Sequence, residues 1–403
     1  MNHPVRQSPA AGSDAGAHSG SYRICTRCVM DSSDPKIVFD DRGVCNHCKI
    51  IIEDRDRYWL PDERGAQKLA ALIADIKRAG QGRPYDCIMG LSGGVDSSYL
   101  AVKAQEWGLR ILAVHVDAGW NSELAVKNIE RMVTKLGIDL HTIVIDWEEM
   151  RDLQVAFLKA GVPNQDIPQD HAFFAALYRE TARQNIPYVL HGGNHATESI
   201  LPAAWGYSAM DWTHIAAIHR RFGTRALRRF PRVGFFYFNY FLRRIKRVQI
   251  AQPLDWMPYS KTLAMAELQE RFGWQYYGGK HYESRFTKFF QAYYLPTRFG
   301  FDKRRAHVAS LVAAGEMTRA QGLAEMARPL YDPQELARDR AFVVMKLGLS
   351  DAEFQRLLTM PLRQHREFPT QEWLREMREA GSWPRRLLLL ARQVRDRVRR
   401  WTA

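Results

Sequence analysis

The chain has 403 residues, of which 46% are hydrophobic, with 58 Lys or Arg against 44 Asp or Glu and a formal net charge of +14. That length and apolar share can bury an α/β core in two or three domains without disulfide staples, which excludes a small cross-linked scaffold. Five cysteines, no apolar run of membrane-spanning length and no hydrophobic signal region predict a soluble cytoplasmic protein, with the inner face of a membrane as an alternative location.

Residues 1–21 are rich in Ala, Gly, Ser, Pro and His without periodicity and read as a disordered tail. A module at 22–60 follows. Its pairs Cys25-x2-Cys28 and Cys45-x2-Cys48 stand 16 residues apart, the interval of a four-thiolate zinc site. A hairpin at Lys36–Phe39, turning through Asp40-Asp41-Arg42-Gly43, brings the pairs together. Four thiolates leave no open position for water, so the expected zinc is structural. Disulfides, or His47 in place of one cysteine, are the alternatives.

A domain over 61–260 carries the densest signal. The apolar segment Tyr85–Leu91 reads as a buried strand and Ser98–Glu106 as a helix, joined by Leu91-Ser92-Gly93-Gly94-Val95-Asp96-Ser97-Ser98. A Gly-Gly turn between strand and helix aims backbone N–H groups, hydroxyls and the positive helix end at one point, and so binds phosphate. SGGVDS resembles the PP-loop of the ATP pyrophosphatases, which implies ATP as substrate and AMP and pyrophosphate as products. Ser92, Gly93, Gly94, Ser97 and Ser98 are then the diphosphate cradle, and Asp96 is the expected Mg²⁺ ligand.

Further strands are predicted at Arg110–Asp117, Leu140–Asp146 and Pro187–His191. Helices are expected at Ser122–Leu136, Met150–Lys159 and His171–Gln184. This alternation predicts a doubly wound parallel sheet with its ligand crevice at the carboxyl ends of the strands. Asp117 lies at one such end, near the expected adenosine, or else caps a helix. Gly193, Asn194 and Glu198 lie at another, in a GxNxxxE-like run resembling the second signature of nucleotide-activating PP-loop enzymes. Asn194 as a plain helix cap, with Glu198 on the same face, is the bland alternative.

Within this domain a basic insertion at 212–250 stands out. Trp212–Leu254 holds ten Lys or Arg and no Asp or Glu, which favours an anionic partner. Its run Phe235–Leu242 is too short to cross a bilayer, and reads as an interfacial segment, a buried helix or a subunit contact. A region at 261–403, expected to be mainly helical and to meet substrate or partner, contains Gly278–Arg285, a loop entering an amphipathic helix. A second basic run, Arg385 to Arg400, reads as a docking, membrane-surface or packed helix.

Three stretches resemble the N-acetyl sugar amidotransferases of surface-polysaccharide biosynthesis, the family of the lipopolysaccharide protein WbpG: Cys25–Cys48 with Met30-Asp31, HGGNHATESILP at His191–Pro202, and Trp274–Ala306. The resemblance covers about 22–345. It implies amidine formation on the acetamido group of a UDP-linked N-acetyl amino sugar, a diacetamido uronic acid being favoured. A sugar-nucleotide site is implied at Lys280, His281, Glu283, Arg285 and Lys288, with Lys280 also facing the ATP phosphates and the basic block helping to hold the UDP-sugar. It further implies that ammonia comes from a separate glutaminase subunit with a barrel subunit, similar to the halves of imidazole glycerol phosphate synthase. Cys87, inside the predicted strand, lacks the exposure and base that a glutaminase nucleophile needs. Two competing readings are a tRNA-modifying thiolase, which would want further reactive cysteines, and a non-enzymatic zinc nucleic-acid adaptor, which would not need an intact PP-loop; a nucleic-acid partner is not expected.

Overall fold

The structure, a computed structural model, describes residues 22–374. The expected tail at 1–21 and the basic run Arg385 to Arg400 lie outside them. The core is a five-stranded parallel sheet in the order β3-β2-β1-β4-β5, formed by β1 (Cys87–Gly90), β2 (Ile111–Asp117), β3 (Asp139–Val144), β4 (Tyr188–Leu190) and β5 (Gln249–Ala251). In the two central strands alternate residues enter different cores. Ile88, Leu112 and Val114 pack on one face, and Cys87, Met89, Ile111 and Ala113 on the other. A strand buried on both sides needs this unbroken apolar run, and that is why β1 and β2 were legible.

Local signals set the helix starts. Ser122 accepts from the N–H of Ala125 ahead of helix Glu123–Leu136, and Asp146 accepts from that of Glu149 ahead of helix Trp147–Ala160. Helix Ile167–Gln184 begins with Pro168 in its first turn, ahead of the expected start. The chain moves outward from β1 to β3, then returns to the opposite side for β4 and β5. The switch point therefore lies between β1 and β4, where ligand crevices form.

β5 was not anticipated. It pairs parallel to β4 after a crossover made of the basic block, in which helix Trp212–Phe222 precedes the π-helix Tyr237–Ile245. The loop between these two is tied to helix Trp147–Ala160: the Glu149 carboxylate accepts the backbone N–H groups of Arg228, Arg229 and Phe230. Asp152 does the same for Thr224 and Arg225.

A third core joins the cysteine module to the helical region that follows β5. Val29, Met30 and Ile37 share it with Phe286, Phe290, Val308 and Phe354. Arg319 donates to the carbonyls of Cys25 and Cys28, and Arg305 pairs with Asp31 at 3.0 Å. The hairpin turn is in place, with Gly43 at φ +76° and Phe39 bridged to Cys45.

Candidate active site

The loop after β1 opens on a cavity of about 320 Å³ lined by Ser92, Gly94, Asp96 and Ser97. Helix Val95–Glu106 starts here with Gly94 as its cap residue, which has no side chain to bond the helix's first N–H groups. Those donors, with the Ser92 and Ser97 hydroxyls 3.2 Å apart, form an anion cradle. Gly93 holds φ +80°, and a Cβ there would meet the Ala125 carbonyl at 2.6 Å. No other residue fits that position.

The opposite rim comes from far along the chain. Ser122 N–H donates to the Glu283 carbonyl and Arg285 N–H to that of Trp120, both at 2.8 Å. These bonds lay the segment Lys280–Ser284 across the mouth. Lys280 pairs with Glu198 at 2.9 Å, and burial alone would raise that carboxylate, but Lys280 and His281 reverse the effect and hold it at about 2. Behind them His307 Nδ1 lies 3.0 Å from the Thr197 carbonyl, so it carries the proton and its Nε2 lone pair faces Lys261 Nζ at 3.3 Å. Burial, with Lys280 and Lys261 on either side, holds His307 well below its ordinary range, while burial and Lys280 lower Lys261.

A second wall is acidic. Asp166 accepts from the Thr287 hydroxyl at 3.1 Å. Burial, and after it Asp166, pushes Asp170 up to about 7. Asp96 accepts from the Tyr259 hydroxyl. A larger chamber of about 1070 Å³ adjoins the first, bounded by Tyr276, Tyr282, Arg304, Arg328 and Tyr331, and both chambers share Glu198, Lys261, Lys280 and His281 as wall.

Residues 86–174 match the family model for queuosine biosynthesis protein QueC, and 283–379 that for the WbpG-like LPS biosynthesis protein C-terminal domain. The chain belongs to the PP-loop ATP-pyrophosphatase superfamily. Its C-terminal domain is WbpG-like, consistent with an LPS-related amidotransferase family. Over 118 residues it is 30% identical to tRNA(Ile)-lysidine synthase of Chlamydia pneumoniae, which covers 28% of this chain and 34% of that one. Over 158 residues it is 28% identical to GMP synthase (glutamine-hydrolyzing) of Thermus thermophilus, covering 38% and 28%. The chain thus spans about a third of the length of these curated relatives. A solved NH3-dependent NAD synthetase from Campylobacter jejuni aligns with 38% of this chain and 72% of its own at 17% identity, with a TM-score of 0.27.

Around this PP-loop, Ser92, Gly94, Asp96, Ser97, Gly193, Glu198, Lys280, His281 and Glu283 all line the inner cavity. Ser98 is buried and off the cavity wall. Asp117 is a bracket: it accepts from the Gly119 N–H and the Asn121 side chain, and Asn121 lines the cavity in its place. Asn194 caps helix His195–Glu198 by accepting from the N–H of Thr197. Lys288 pairs with Glu335 and reaches the outer chamber only. Arg285 lines neither chamber; it pairs with Asp339 at 2.6 Å over the Phe342 ring.

One expectation is corrected. None of the ten cations of Trp212–Leu254 lines either chamber: Arg225 and Arg229 meet Glu148 and Asp146 at the start of helix Trp147–Ala160, and Arg243 and Arg244 lie on the π-helix Tyr237–Ile245. Sequence reasoning missed Tyr259 and Lys261, just beyond β5, as well as Asp166, Asp170 and His307. The Pro-Tyr-Ser-Lys run at 258–261 was the available signal, once a strand had been placed before it.

The four module cysteines suit one tetrahedral ion. Their Sγ atoms all lie within 4.8 Å of one another, with Cys25–Cys48 at 3.9 Å and Cys28–Cys45 at 3.7 Å. Zn–S bonds of about 2.3 Å in a tetrahedron put sulfurs about 3.8 Å apart, and a disulfide would need about 2.0 Å. His47 is taken by Asp34 at 2.7 Å.

Proposed function

We propose that this chain is the ATP-dependent subunit of an amidotransferase that turns the acetamido group of a UDP-linked N-acetyl amino sugar, a diacetamido uronic acid by preference, into an acetamidino group for surface polysaccharide. The observation that carries this reading is the shared wall. ATP held by the loop after β1 and a sugar nucleotide in the larger chamber would meet at Lys261, Lys280 and His281.

An amide carbon is a poor electrophile, and its oxygen leaves badly. Attack of the acetamido oxygen on the α-phosphorus breaks the bond to pyrophosphate and makes the oxygen part of a good leaving group. Ammonia then adds to the carbon, loses a proton, and AMP departs with that oxygen. The N–H groups at Asp96 and Ser97, with Lys261 and Lys280, stabilise the charge growing on pyrophosphate. Asp96 and the phosphates would hold Mg²⁺, which supplies further neutralisation when bound. Asp170, whose carboxyl is pushed upward by burial and by Asp166 and which lines both chambers, would take the proton. The cysteine module would hold zinc and brace the helical region, in keeping with a division at about 22–60, 61–260 and beyond.

Ammonia would come from a separate glutaminase with a barrel subunit, in the cytoplasm. Cys87 supports that division of labour: it lies in β1 and burial pushes its thiol far up, so it suits neither glutamine hydrolysis nor sulfur transfer. Purified chain incubated with ATP, Mg²⁺, ammonium and a panel of ¹⁸O-acetamido UDP-sugars should place the label in AMP. Label retained in the sugar, or ADP as product, overturns the mechanism.

A further inference from the structure

Six of the ten cations of the crossover form two contrasting groups. Arg225 and Arg229 are neutralised by Glu148 and Asp146. Arg243, Arg244, Lys246 and Arg247 enter no ion pair among the described residues. They cluster at the end of the π-helix Tyr237–Ile245, whose i→i+5 bonding brings residues four and nine apart onto one face. On the inner side Leu242 is buried in the sheet core, with Phe238 and Phe241 packed against it. On the outer side Phe236, Tyr240 and Ile245 are 53%, 59% and 57% exposed. A strip of bulky apolar side chains beside four unneutralised cations has the composition of a helix lying in a membrane interface.

We propose that this face docks on an anionic lipid bilayer, with Tyr240 and Ile245 entering the headgroup–acyl boundary and Arg243, Arg244 and Arg247 on lipid phosphates. Charge complementarity selects this occupant. No carboxylate occurs between Trp212 and Leu254 to repel an anionic surface. A second copy would set like charges face to face. A specific protein interface engages about 20–30 residues a side, far more than this strip offers. RNA would leave Ile245 with nothing to stack on. The docking is peripheral, since no helix among the described residues is long and apolar enough to cross a membrane.

The test is flotation of the full chain with vesicles of equal phosphatidylglycerol and phosphatidylcholine, against phosphatidylcholine alone. Binding to the anionic vesicles only is expected. Each Arg→Gln at 243 or 244 should weaken it about fivefold. Y240S/I245S should abolish it while α,β-methylene-ATP binding and near-ultraviolet circular dichroism stay unchanged. A polarity-sensitive fluorophore on Tyr240→Cys should shift to the blue with anionic vesicles. Equal flotation with phosphatidylcholine alone overturns the proposal. So does flotation of R243Q/R244Q and Y240S/I245S at the parent level, which would assign the binding to charge elsewhere in the chain. Retention on tRNA or on an acidic protein without vesicle binding overturns it as well.

Discussion

Lys261 meets the cavity through a neutral imidazole. Because the Thr197 carbonyl takes the Nδ1 proton of His307, Nε2 can only accept, and Lys261 is the donor in reach. Lys261→Ala should weaken α,β-methylene-ATP binding about tenfold, as loss of a charged donor to phosphate does. His307→Ala should show most of that loss, His307→Gln, which restores an acceptor, should recover it, and the double variant should be no weaker than Lys261→Ala. Isothermal titration calorimetry reads all four; additive losses would show that the two residues act separately. Neither residue was legible in the sequence, since a lone His and a lone Lys 46 positions apart carry no pattern. Arg285 shows the reverse. Its charge and its place beside Lys280 suggested substrate, and only the fold shows Asp339, 54 positions on, taking it up.

Among elements, the crossover depends on Glu149. Its carboxylate is buried and satisfies three backbone N–H groups, one of them on buried Phe230. Glu149→Ala strands those donors and should cost about 3 kcal/mol in urea unfolding. Glu148→Ala removes only half-exposed ion pairs and should cost less than about 1 kcal/mol. Equal costs would mean that the loop is held by net charge. Elements with internal periodicity were readable: β1 to β4, their helices, the PP-loop and the paired CxxC turns. β5 was not, because three residues after an arginine-rich stretch show no alternation, and parallel pairing with β4 makes it a strand. The PP-loop was legible because its function is local, carried by consecutive backbone groups. The outer chamber was not, because its wall is assembled from segments brought together only by packing.

For the whole molecule, the cysteine module and the helical region share one core, so a metal on the four cysteines would bear on the candidate active site indirectly. Arg305, which grips Asp31, is two residues from His307. Cys45→Ser should abolish stoichiometric zinc in elemental analysis, lower the melting temperature by roughly 10 °C, and weaken nucleotide binding through the helix that carries His307. Full zinc with an unchanged melting temperature would refute the assignment.

The same clasp has a temporal side. Cys25 and the Arg319 guanidinium that seals it are 294 positions apart. At roughly 5–20 residues per second on the ribosome, the finished module waits about 15–60 s for its partner surface to be made. During that interval its apolar side, Val29, Met30 and Ile37, lacks the surface it packs against in the finished protein, and an ion on the four cysteines would help to keep the knuckle in shape. If zinc fills the site, metal supply during translation, more than metal affinity afterwards, would then govern how much chain reaches the native state.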